Sequence, residues 1–265
     1  MNSKLSIAER LLKDFGITEP NEIDLEAIAY SLGTRVHYRP LYGCEARIVG
    51  KGDRAVITVN SRSSHQRQRF SLAHELGHWQ FHRGKIMICR VLEMERHPKK
   101  AKSPERIADN YAADLLMPYY LFKPAAKNYS QLTFSAVDDL ARLFGCSYTA
   151  TAIRIVESDL IPGFLICHGP YGRKWFTRSP SVPDRWFPKA ELDQRTHAFD
   201  VVFSKRPNNP TPYRISADAW FEVWGASELH VGEQTLRYDN GALTLITVLD
   251  SEMLEESKDK FSTKR

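Results

Sequence analysis

No stretch of this sequence stays apolar long enough to cross a bilayer, and its opening, MNSKLSIAERLLKDFG, lacks the unbroken hydrophobic region of a signal peptide. Membrane insertion and secretion are not expected; a cytoplasmic location is. Cysteine is scarce: four in 265 residues, Cys44, Cys89, Cys146 and Cys167, with no C-x-x-C pair. That scatter excludes a disulfide framework or a cysteine-based zinc site and fits a reducing compartment. A strong charge of one sign is also missing. The formal net charge of +5 is compatible with nucleic acid nearby without requiring it. There is no internal repeat or low-complexity tract. What is present is a globular chain whose 42% hydrophobic content can fill one large or two medium cores.

Leu5, Ala8, Leu11, Leu12 and Phe15 recur at helical spacing until Gly16, and DLEAIAYSLG (24–33) repeats the pattern between an Asp24 N-cap and Gly33. RVHYRPL reads as a strand, and EARIV with RAVITVN around GKGD as a β-hairpin. A helix follows, and then SPERIADNYAADLLMP (103–118), bracketed by a Ser103 N-cap, Pro104 in the first turn and Pro118 beyond the end. TFSAVDDLARLFGCSYTATAIRIVES (133–158) reads as two helices hinged at Gly145. Beyond Pro162 the segments GFLICHG, RKWFT, AFDVVFS, AWFEVW and TLRYDNGALTLITV are β-rich, the last with an Asn240-Gly241 hairpin signal. The expectation is an α+β chain, mainly helical with a small N-terminal hairpin or sheet over residues 1–160, followed by a β-rich domain over 161–265.

The chemistry concentrates in RQRFSLAHELGHWQFHR (67–83). Residues four apart share one helix face, so His74 and His78 can converge on one tetrahedral zinc ion. Glu75 lies about 100° around the helix, close enough to act as general base without being a ligand. The competing reading is a helix with surface histidines. Against it stand Phe70, Leu72, Ala73, Leu76, Trp79 and Phe81, which bury most sides of the helix, where unpaired polar groups are costly. His82 continues the stripe, but eight residues of helix rise about 12 Å, too far to share an ion with His74. The longer H-E-x-x-H-x-x-G-x-x-H pattern is absent, since Phe81 occupies its glycine position. Glu105 can complete a His-His-Glu site, with Asp109 one turn on to accept the second N–H of a liganding histidine; Ala108 and Ala112 would let that helix come close. On spacing alone Glu93 and Glu95 remain rival ligands, and Glu105 has the plainer role of a first-turn acid favoured by the helix dipole.

RFSLAHELGHWQFH followed by ERIADNYAADLLMP resembles the ImmA/IrrE family of bacterial and phage zinc metallopeptidases, whose hallmark is H-E-x-x-H followed by E-x-x-A-[ND]-x-x-A-x-x-L-L-M-P. The likeness extends over approximately residues 1–160. It implies a zincin-like domain holding Zn²⁺, with His74, His78 and Glu105 as ligands and Glu75 as catalytic base. It also implies cleavage of a DNA-binding transcriptional repressor, a helix-turn-helix protein, releasing a stress-response or mobile-element programme.

Two other function classes stay open at this point. One is a DNA-binding regulator with a structural or idle metal site, because LARLFGCSYTATAIRIV has helix-turn-helix spacing; Arg154 is the only basic residue of its would-be reading helix. The other is a zinc amidohydrolase acting on a non-peptide, although a strand such as EARIV or AVITV could hold an extended peptide across the metal. His82, His97 and Tyr111 are equal candidates for oxyanion stabilisation. Residues 161–265 are expected to recognise a substrate or a signal, with Trp220 and Trp224 as anchors or as core.

Overall fold

The computed structural model describes residues 5–82, 103–131, 133–204, 206–209 and 211–255. The chain is α+β, and its packing divides it into two units, residues 1–128 with 138–151 and residues 129–137 with 152–265. Among the described residues no helix is long and apolar enough to cross a membrane.

The first unit opens with α1 (Ile7–Asp14), where Ser6 and Glu9 satisfy each other's backbone N–H groups. In α2 (Leu25–Ser31) Asp24 accepts the Ala27 N–H at 2.9 Å. Gly33 then turns the chain at φ 78°, where a side chain would also strike the Asp53 carbonyl. Strands β1 (Thr34–Arg39), β2 (Ala46–Lys51) and β3 (Arg54–Asn60) form a sheet in the order β1-β3-β2, with β1 parallel and β2 antiparallel to β3. The expected hairpin is β2–β3. Alternation along β3 buries Ala55, Ile57 and Val59.

Ser64 caps α3 (His65–Phe81), and Ser103 caps α4 (Pro104–Leu116), with Pro104 in its first turn as anticipated. The two helices pack on each other, and Leu72, Ala73 and Leu76 on one and Ala108, Ala112 and Leu115 on the other are all fully buried. At Gly77 the approach is so close that a Cβ would lie 2.9 Å from the Ala108 Cα. Helix α5 (Tyr119–Ala126) was not anticipated; its Tyr119 N–H donates to the Glu9 carboxylate 2.7 Å away, a tertiary partner that no local pattern announces. The pair α6 (Phe134–Phe144) and α7 (Tyr148–Glu157) hinges at Gly145, φ 60°, and the divide between the units falls inside each of them.

In the second unit β4 (Gly163–Gly169), β5 (Gly172–Arg178), β6 (Tyr213–Ser216), β7 (His230–Tyr238) and β8 (Gly241–Val248) form an antiparallel sheet in the order β5-β4-β8-β7-β6. Its core gathers Phe164, Ile166, Val231 and Ile246 with Trp186, Trp220 and Phe221. Two β expectations are corrected. AFDVVFS belongs to α8 (His197–Phe203), because Thr196 caps it and the buried Glu233 carboxylate takes the Ala198 N–H at 2.9 Å. AWFEVW starts in a 3₁₀ turn (Ala217–Ala219) and contributes no strand of the sheet. The hairpin near Asn240 does form, but its loop is Asp239-Asn240, with Asp239 at φ 52°. Gly241 pairs with Tyr238 and leaves room for the His168 carbonyl on β4, where a Cβ would collide.

Candidate metal centre

Helical periodicity puts His74 and His78 one above the other on α3, both essentially inaccessible to solvent. Their Nε2 atoms lie 3.0 Å apart. From α4, Glu105 brings one carboxylate oxygen to 3.3 Å from His74 Nε2 and the other to 3.4 Å from His78 Nε2. Asp109, one turn further along α4, is 2.9 Å from His74 Nδ1. Close packing at Gly77 and Ala108 makes the meeting possible, since a wider gap between the helices would withdraw both carboxylates.

His74, His78 and Glu105 each offer one ligand atom within 4.8 Å of the others, the geometry needed to hold a metal ion. The donor set favours a cation. Two imidazole lone pairs and a carboxylate turned towards one point repel one another unless positive charge sits between them. The electrostatics of the site carry the same bias. Burial pulls His74 down, but hydrogen bonding to Asp109 and Glu105 outweighs it and lifts the imidazole to about 9. The contacts with His74 and His78 hold Glu105 well below the usual carboxylate range.

Glu75 is buried on the same helix, and its charge also acts on His74. Burial and then the charge of Glu75 push the Cys44 thiol up, so the segment leading into β2 lies within electrostatic reach of that carboxylate. Tyr111 is buried edge-on against Phe81, burial raises its phenol to about 12, and its hydroxyl has no hydrogen-bond partner among the described residues. The rival ligands Glu93 and Glu95, the oxyanion candidate His97, and Cys89 lie outside the described residues. Helical rise keeps His82 too far from His74 to share an ion with it. The structure brings its Nδ1 to 3.3 Å from His78 Nδ1, a neighbour that the i, i+4 spacing could have revealed.

A pair of closely packed helices carrying H-E-x-x-H on one and an opposing carboxylate on the other defines a metallopeptidase-type centre. Residues 29–156 match the peptidase M78 family, described as the IrrE N-terminal-like domain, and this part of the chain is a domain of that family. The resemblance read from the sequence therefore stands. The comparison with curated proteins finds no match. Among solved structures, one described as a Mycobacterium tuberculosis transcriptional regulator is similar over 93% of this chain and 77% of that one, with a TM-score of 0.58 at 17% identity, a likeness of fold alone.

Proposed function

We propose that the chain is a zinc-dependent endopeptidase, with His74, His78 and Glu105 as metal ligands, Asp109 as the acceptor that orients His74, and Glu75 as general base. The observation that carries this reading is the convergence of two Nε2 atoms and a carboxylate within 4.8 Å inside an IrrE N-terminal-like domain. A His-His-Glu set suits zinc, which when bound would polarise a water molecule and the scissile carbonyl as a Lewis acid. Glu75 would take the proton of the attacking water and return it to the leaving amine nitrogen. Asp109 would keep the His74 proton on Nδ1 and leave Nε2 as the donor atom.

A peptide substrate is favoured over a small amide by the sheet edge. β2 is an outer strand, and it packs on α3 so tightly that a Cβ at Gly50 would lie 2.5 Å from the Trp79 ring. Among the described residues no strand pairs with its outer side, and an extended chain could add there and run past the helix that bears Glu75. A helix-turn-helix repressor is the substrate that the family resemblance suggests, and the solved neighbour's description as a transcriptional regulator supports a setting in gene control. Direct DNA reading by α7 is disfavoured because Arg154, its only basic residue, is buried at 4% exposure.

The test uses the purified chain and a helix-turn-helix repressor encoded beside its gene. Elemental analysis should find about one zinc per chain. Glu75→Gln should keep the metal and lose about 10²- to 10⁴-fold in cleavage rate, while Glu105→Ala should lose the metal itself. Full cleavage by Glu75→Gln would remove the general base, and zinc retained by Glu105→Ala would remove that ligand.

A further inference from the structure

For two histidines to present Nε2 lone pairs to one cation, each ring must carry its remaining proton on Nδ1, and in a dry site that N–H needs an acceptor. His74 has one in Asp109 Oδ1 at 2.9 Å. The corresponding atom of His78 faces His82 Nδ1 at 3.3 Å, and only one of those two nitrogens can carry the shared proton. A proton on His78 Nδ1 leaves its Nε2 free to ligate. With the proton on His82 instead, the neutral His78 ring must bear its own on Nε2, aimed at Glu105 and His74.

Local geometry holds His82 in this place. It is the cap residue of α3, its backbone N–H donates to the His78 carbonyl at 2.8 Å, and its ring lies against that of His78 with centroids 5.4 Å apart. We propose that His82 is a positioning residue that accepts the Nδ1 proton of His78 and so sets the second histidine in its metal-binding tautomer. The stripe 74–78–82 then comprises two ligands and an acceptor for the second, with Asp109 serving the first from α4. Because a neutral imidazole is a weaker acceptor than a carboxylate, His78 is held less firmly than His74. The inference rests on the reading of His74 and His78 as ligands.

The experiment measures Zn²⁺ affinity of the full chain against a competing chelator, together with the visible absorption of the Co²⁺-loaded protein, for wild type, His82→Ala, His82→Asn and His74→Ala. His82→Ala should weaken zinc binding about 10- to 100-fold and alter the cobalt bands. His82→Asn, whose amide oxygen can stand near the former Nδ1, should recover most of both. Wild-type affinity in His82→Ala, alongside loss of zinc in His74→Ala, would overturn the role of His82 and leave the ligands intact. Equal losses in the Ala and Asn variants with unchanged cobalt bands would reduce His82 to a packing residue and also overturn it. Wild-type affinity in His74→Ala would instead refute the ligand reading on which the inference stands.

Discussion

His168 shows how one side chain can limit a whole unit in acid. It sits on β4 at 1% exposure with its ring beside Trp220, and among the described residues the Lys189 carbonyl is the hydrogen-bond partner of its Nε2, at 3.4 Å. Burial lowers the imidazole from 6.5 to about 4, with the Arg173 charge adding to the effect. The unfolded chain therefore takes up a proton on this ring before the folded one does. Its contribution is complete above about pH 6.5 and declines as the pH falls through 4, by about 3 kcal/mol in all. Denaturant unfolding at pH 7 and pH 4 should show His168→Gln losing about that much less than the wild type; equal losses would mean that the ring is hydrated. At the candidate metal centre single residues divide into two kinds. His74, Glu75 and His78 were legible because one turn of helix fixes their relation, whereas Tyr111 carries a buried hydroxyl with no hydrogen-bond partner among the described residues, which nothing in its local sequence announces.

At the scale of elements, the packing of α3 on α4 sets the site. Gly77 lies inside the H-E-x-x-H run, and its missing side chain lets the Ala108 backbone approach. Gly77→Ala would have to force the helices apart, at a cost of about 1–3 kcal/mol from overpacking. Glu105 and Asp109 would move away with α4, so zinc affinity should fall while the helical content survives. Circular dichroism with a zinc titration checks this, and a Gly77→Ala protein with wild-type affinity would show that the spacing is not limiting. The same scale explains the misread elements. The apolar run of AFDVVFS suits a strand as well as a buried helix, and the deciding groups are the Thr196 cap and a Glu233 carboxylate 35 residues away from Ala198. Glu233 also receives the Tyr213 hydroxyl and the Trp220 indole N–H, which ties α8, β6 and β7 to one buried acceptor.

For the whole molecule, the second unit contains none of His74, His78 and Glu105. Its proposed task is recognition of the substrate or of a signal. The two tryptophans singled out by sequence separate cleanly: Trp220 is core at 1% exposure, while Trp224 is 100% exposed just before Gly225, φ 78°. A fully exposed indole is the residue type that most often dominates binding surfaces. Trp224→Ala should leave metal content unchanged and stability within about 0.5 kcal/mol, yet lower kcat/KM for the native protein substrate about tenfold or more. Equal loss on a short peptide spanning the cleavage site would assign the effect to the active site, and no loss on either would end the recognition role of this indole.

The order of residues alone determined whatever depends on neighbours within a turn or two. The shared face of His74 and His78, the caps at Asp24 and Ser103, the hairpin ahead of α3 and the hinge at Gly145 all follow from a 3.6-residue period, side-chain capping and glycine's access to positive φ. Tertiary structure alone decided that Glu105 and Asp109 reach those histidines, that AFDVVFS coils and that Trp220 is buried while Trp224 is not. The physical reason is range: a helix places residues four apart by its own geometry, but a partner 31 or 35 positions away arrives only when close packing brings its helix there.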